Sequence, residues 1–226
     1  MEGVPFLIVI IVVAGIAILG YLHHKKRKEA IRAFAARRGW AFQDRVPALA
    51  NRWQCPPFQS GRSQRATEVL TGPFHGEQAV SFNYQYSTGS GKNQTTHHFH
   101  VVALHLPVPL PWLRLTPENF GTSVARFFGG QDITFESQAF NDTWRVQGPE
   151  NQFPYDFIHP RMMDRLMQPD AVGTNITVHG QDILLHVSGR QDIARIDYCL
   201  NLLLGVVQQV PRHLWLRMGH DPLSPR

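Results

Sequence analysis

The hydrophobic pattern of this chain divides it into two unequal parts. Residues 4–22 read Val-Pro-Phe-Leu-Ile-Val-Ile-Ile-Val-Val-Ala-Gly-Ile-Ala-Ile-Leu-Gly-Tyr-Leu, without a charge. As a helix rising about 1.5 Å per residue, the run is roughly 28 Å long, close to the hydrocarbon thickness of a bilayer. It is apolar on every face, so it is no amphipathic surface helix. The pattern predicts a transmembrane helix over residues 4–22, a short outer N-terminus over 1–3, a basic juxtamembrane helix over 23–38 and one soluble domain over 39–226.

Within the domain, β-period runs come first. Residues 66–71, 78–86 and 95–106 read as strands, the last two joined by a flexible antiparallel connection through Gly89 and Gly91. Pro107, Pro109 and Pro111 are expected to take the chain out of the sheet, because proline cannot donate to an interior ladder. Thr116-Pro117-Glu118 has the form of a helix start, with the helix running to about Phe128. Residues 133–136 and 143–147 read as strands, and Pro160–Met167 as a short helix. Residues 175–179 and 183–187 read as a hairpin over Gly180. Ile193, Ile196, Leu200, Leu203, Val207 and Val210 recur at helical spacing up to Pro211. Hairpins with interspersed helices, and no strict βαβ alternation, predict an α+β fold with an antiparallel sheet and a C-terminal amphipathic helix. A pleckstrin-homology-like roll is the specific alternative. Trp53 and Phe58, in a proline-rich loop, are expected to pack that loop onto the core.

Charge orients the first part. Lys25, Lys26, Arg27 and Lys28 follow the apolar run directly, with Arg32, Arg37 and Arg38 further along the same helix. The positive-inside rule puts that side, and the domain, in the cytoplasm of a single-pass cell-membrane protein with its N-terminus outside. A signal peptide would need a basic n-region before the apolar run, and none is present, so the segment reads as an uncleaved signal-anchor. The net charge of +5 sits wholly in the juxtamembrane helix, since residues 39–226 hold 15 basic and 15 acidic residues. That argues against nucleic acid as a partner and makes the seven juxtamembrane residues a candidate contact for anionic lipid headgroups of the bilayer. Their simplest role is to fix topology.

Cys55 and Cys199 form no CxxC and fit a reducing compartment, though their pairing stays open at this level. The three Asn-x-Thr sequons, at Asn93, Asn141 and Asn175, carry no meaning in a cytoplasmic domain.

From Arg38-Gly39-Trp40 onward the chain resembles an uncharacterised family of actinobacterial single-pass membrane proteins. The likeness lies in Arg52-Trp53, Val69-Leu70-Thr71-Gly72, Val101-Val102-Ala103-Leu104, Leu106-Pro107, Gly130-Gln131-Asp132-Ile133, Phe135-Glu136-Ser137 and His159-Pro160-Arg161-Met162-Met163. The resemblance implies location and architecture, and no catalytic residues.

Motifs for chemistry are sparse. His98 and His100 share a strand face and could hold a transition metal if His75 or Glu77 supplied a third ligand. That would make the chain a metal-dependent hydrolase; two surface histidines are the simpler reading. Gly89-Ser90-Gly91-Lys92 lacks the first glycine and the Ser/Thr of a phosphate loop. Asp132 with Glu136, and Asp182 with Asp192, suit caps and turns better than paired acids. Ser60, Ser63, Ser81 and Ser188 sit in no nucleophile elbow. The pattern therefore predicts a domain without chemistry or cofactor that binds a protein partner or the lipid surface.

Overall fold

The computed structural model describes the backbone of residues 3–118 and 132–224, and the side chains of residues 14–118 and 132–224 except His24. The chain opens with one helix, α1 (Gly3–Arg38). Its first half carries Ile16, Ile18, Leu19, Tyr21 and Leu22, exposed and pointing around the whole circumference. Its second half turns Ile31 and Ala35 into the core, with Phe34 packed beside them, as the three- and four-residue spacing predicts. Among the residues whose side chains are described, no helix is long and apolar enough to cross a membrane. Much of the predicted span, residues 4–13, lies outside them.

After α1 come β1 (Ala41–Arg45), a 3-10 turn (Pro47–Asn51), β2 (Arg62–Phe74), β3 (Glu77–Thr88) and β4 (Thr95–Pro117). Then follow β5 (Asp132–Ile133), α2 (Gln138–Thr143), β6 (Trp144–Gln147), α3 (Phe153–Phe157) and α4 (Pro160–Leu166). β7 (Asn175–Ser188), α5 (Ile196–Gln209) and α6 (Arg212–Arg217) complete the chain. The architecture is the expected α+β, with one antiparallel sheet.

β4 is the spine. Its first half pairs with β3 on one edge, Val80 opposite Ala103, and with β7 on the other, Val102 opposite Leu185. Its second half keeps β7, Leu113 opposite Val178, and takes β6 where β3 has ended, Leu115 opposite Val146. The prolines do not take the chain out of the sheet as expected. The ladder shifts register between His105 and Leu110 and again between Leu110 and Leu113, so the sheet carries them at irregular positions. Thr116 and Pro117 are therefore strand residues paired with β6, not a helix start; the rest of that predicted helix lies outside the described residues. The predicted hairpin over Gly180 is also corrected. Both halves are one strand along β4, and Gly180, at φ +60°, bends it opposite Leu110. Residues 134–136 are not strand, and α2, α3 and α6 are short helices that no periodicity announced.

The sheet has two covered faces. Val102 and Leu104 face a cluster with α1, α4, α5 and α6, containing Ile31, Trp40, Met162, Leu203 and Trp215. Val101 and Ala103, next in sequence, face a second cluster with Trp53, Phe58, Phe82 and Tyr84. The Pro47–Phe58 segment thus covers the second face, as Trp53 and Phe58 predict. Trp53 lies parallel to Phe82 with ring centroids 5.9 Å apart.

Candidate functional site

The residues with most to say about function lie where α1 docks. Of the seven juxtamembrane cations that form the candidate lipid contact, four have partners in the domain. Arg27 makes a bidentate pair with Glu68 of β2, at 2.8 and 3.4 Å, and donates to the Gln191 carbonyl at 2.7 Å. Lys28 and Arg32 both reach Asp44 of β1, at 2.6 and 3.5 Å. Arg38 pairs with Asp197 of α5 and lies over the rings of Phe34 and Trp40. Arg32 also covers Phe42. Lys25, Lys26 and Arg37 remain exposed, with no carboxylate beside them among the described residues.

Backbone geometry builds the principal latch. Between Thr67 and Leu70 β2 advances three residues while β3 advances two, from Asn83 to Ser81. The extra residue is Glu68, held at φ +54°, a left-handed conformation that is costly without glycine. This bulge takes Glu68 out of the β2 alternation, and the bulged side chain reaches Arg27.

Behind the latch lies a buried polar chain. Gln191 donates to Ser81 Oγ at 2.9 Å, and His100 Nε2 stands 3.0 Å from the same oxygen. The Asp192 backbone N–H donates to His100 Nδ1 at 3.4 Å, so Nδ1 is the acceptor and Nε2 carries the proton. Burial, with smaller contributions from Arg195 and Arg27 opposed by Asp192, pulls the His100 pKa down to about 4. His100 is a neutral core histidine tying α1's landing site to the β7–α5 connection.

His98 lies on the same strand face, as predicted, but half-exposed. Burial and the nearby Arg190 and Arg27 lower its pKa. Both His100 nitrogens are committed to protein partners, and no group of three metal-ligating side chains forms among the described residues. His97 stacks on Tyr86 on the other face. His75 is in the β2–β3 turn at φ +48°.

A second polar knot holds the covering loop. Asp182 accepts from Arg52 at 2.8 and 3.1 Å, from Trp53 Nε1 at 3.0 Å and from His105 Nδ1 at 3.1 Å. An open pocket of about 280 Å³ beside it is lined by Leu49, Arg52, Thr71, Gln78, His105 and Asp182 among others. A carboxylate with this many donors is an anchor, and no serine or cysteine lines the pocket to act as nucleophile. Asp132 pairs with Arg145 and Gln147 rather than with Glu136. Asp192 caps the turn before α5.

The cysteines are free and buried, Cys55 in the second cluster and Cys199 in the first, on opposite faces of the sheet. Burial pushes their thiols up to about 12 and about 11. Neither is a thiolate nucleophile near neutral pH.

Sequence reasoning missed Glu68 and Asp182 as organising residues. The available signals were a lone acid inside the apolar run Ala66–Leu70 and another beside Ile183-Leu184-Leu185.

Taken together, these features define a class: an antiparallel α+β domain clamped to a long N-terminal helix, with no assembled catalytic group among the described residues. A solved structure shares the fold, the crystal structure of the mycobacterial trehalose monomycolate transport factor A, TtfA. It is 15% identical over 88% of this chain and 98% of its own, with a TM-score of 0.62. That neighbour is actinobacterial, like the family that the sequence resembles. No family model and no curated protein matches the chain.

Proposed function

We propose that this chain is a membrane-anchored module that binds a partner at the inner face of the cell membrane and performs no chemistry of its own. One observation carries the reading: α1 is a single helix with two kinds of surface. Below Arg27 it is bolted to the domain by ion pairs and by Ile31, Phe34 and Ala35. Above Lys25, the described apolar side chains Ile16, Ile18, Leu19, Tyr21 and Leu22 are exposed and point outward on every side. A water-exposed helix of that composition would be unstable, and hydrocarbon is the environment it suits. The basic step at Lys25–Lys28 supports a single-pass orientation with the domain inside.

A domain of this fold is named a trehalose monomycolate transport factor in mycobacteria, and a binding role in transport is the form of this function we favour. The two steps are tested separately. Full-length protein should stay in the membrane pellet through an alkaline carbonate wash, and a reporter fused after Arg226 should read as cytoplasmic. Release by carbonate, or a reporter active only outside, would overturn the anchor. In-cell crosslinking of full-length protein should then capture one partner stoichiometrically, where recovery of the uncrosslinked chain alone would refute the binding role.

A further inference from the structure

Neutrality of the domain conceals an uneven distribution. Between Arg45 and Pro117 there are six basic residues and two acids, whereas between Glu118 and Gly189 there are nine acids and four basic residues. The topology gathers part of the first set at one end of the sheet. Arg62 sits opposite Ser87 and Arg65 opposite Gln85, and the β3–β4 connection carrying Lys92 lies just beyond. Arg62 donates to the Gly89 carbonyl of that connection. Gly189 bonds the His98 carbonyl, which brings Arg190 to the same rim. All four cations are exposed. The two acids of the first set lie elsewhere: Glu68 is bound by Arg27, and Glu77 opens β3 at the far end of the sheet.

The direction of α1 places this rim. Trp40 donates to the Pro73 carbonyl, and Arg27 pairs with Glu68. From Trp40 back to Arg27 the helix climbs about 20 Å, while β2 from Pro73 to Glu68 covers about 17 Å. Helix and strand thus run side by side. Continuing along β2 leads to Arg65 and Arg62; continuing along α1 leads to Lys26, Lys25 and the apolar stretch. The end of the domain that carries Arg62, Arg65, Lys92 and Arg190 is therefore the end from which the apolar helix emerges. The depressed pKa of His98, to which Arg190 and Arg27 both contribute, agrees with that proximity.

We infer that this rim, together with Lys25 and Lys26, is a flat contact for anionic lipid headgroups, so that the folded domain itself, and not only the juxtamembrane helix, lies on the bilayer. The inference rests on the membrane-anchor reading. The chemistry is that of phosphate-bearing headgroups, because four separate exposed cations around a helix entering the bilayer match a sheet of negative charge. Each basic residue at such a surface strengthens the contact about fivefold, and salt screens it. Exposed Glu29 and Asp192 offset part of the charge and do not reverse its sign.

The test uses full-length protein in nanodiscs, with a fluorophore on Ser90→Cys at the β3–β4 tip and headgroup-spin-labelled lipid as quencher. Buried Cys55 and Cys199 do not compete for the label. Quenching should be at least twofold stronger with phosphatidylglycerol than with phosphatidylcholine alone, and should fade at high salt. It should drop to the phosphatidylcholine level in an Arg62→Gln, Arg65→Gln, Lys92→Gln, Arg190→Gln variant. A label on Gln78→Cys, at the opposite hairpin, should stay unquenched in both discs. Equal quenching in both lipids, or quenching untouched by the four substitutions, overturns headgroup recognition while leaving the anchor intact. Protein that carbonate strips from the discs defeats the anchor, and the rim contact falls with it.

Discussion

Two buried side chains set the chemistry of stability in this domain, and they respond to acid in the same direction. His100 has its pKa pulled down to about 4 by burial, and His186 is pulled down to about 3 by burial with Arg114 adding to it. Both are neutral when folded, while the unfolded chain takes up their protons near pH 6.5. The native state therefore keeps its full stability above that pH and loses it as pH falls toward 4. At pH 5 each histidine should contribute about 2 kcal/mol of destabilisation relative to pH 7.5. Denaturant melts at the two pH values should show this loss, and His100→Asn should remove close to half of it. A pH-independent midpoint would contradict the assignment. Asp182 is the other residue to test. Asp182→Asn leaves Arg52, Trp53 and His105 competing for one neutral oxygen, and about 3 kcal/mol of stability should go with it. Thermal melts should show the drop, and loosening of the 46–61 loop should appear as faster proteolysis there. This role was hidden in the sequence because the three donors stand at positions 52, 53 and 105, and only the sheet brings them to one carboxylate. The packing of Trp53 and Phe58 was legible, because large aromatic side chains in a proline-rich loop have few places to go but the core.

At the scale of elements, α1 is held by packing as well as charge. Trp40 lies flat on β2 because position 72 is glycine; a Cβ there would come within 2.2 Å of the indole ring. Gly72→Val should push Trp40 away and release the helix from Arg27 to Arg38. Hydrogen exchange should then accelerate across residues 27–38, with the second cluster around Trp53 little changed. Unaltered protection would mean that the ion pairs alone hold the helix. Arg27→Ala, which leaves Glu68 buried without its cation, should destabilise the docked helix by about 2 kcal/mol in the same assay. Elements with a repeating pattern were legible: α5, β2, β3 and the docked face of α1 follow from the spacing of apolar residues, and α4 from the proline at its start. What defeated the pattern was β4 and β7. Proline and glycine normally punctuate elements, but here the two strands share their irregularities at Leu110 and Gly180 and stay paired through them. The carboxylate partners of the basic helix were hidden for a related reason. Its cations suit lipid and carboxylate equally, and of their partners Glu68 and Asp197 lie far along the chain while Asp44 lies on the next element.

The whole molecule is polar in the directional sense: the apolar half of α1, the basic collar and the basic rim lie at one end. Fold class was legible because hairpin-rich chains with interspersed helices have few ways to cover both faces of a sheet. Charge polarity was not, since a net charge near zero says nothing about where the charges stand. Docking of α1 along β2 makes helix and domain one rigid unit, so rotating the helix about its axis must sweep the domain around it. Inserting two alanines between Lys25 and Lys26 would rotate the apolar half of α1 by about 200° relative to the domain while lengthening it by only about 3 Å. If the domain works in a fixed orientation, this insertion should abolish capture of the crosslinked partner, whereas four added residues, a little over one full turn, should restore much of it.

The pairing of β4 with β7 also dictates an order of events during synthesis. β4 is complete by Pro117, yet the strand that occupies one whole edge of it begins at Asn175, and the helix that seals the face beneath ends at Gln209. A ribosome would thus deliver α1 first, then a half-built sheet with one open edge, and only at the end the pieces that close it. Until then the growing chain is sticky and incomplete. Stop codons or frameshifts between Arg190 and Gln209 should therefore yield no partial protein, only rapidly degraded chains, even though every residue proposed to touch lipid has been made by then.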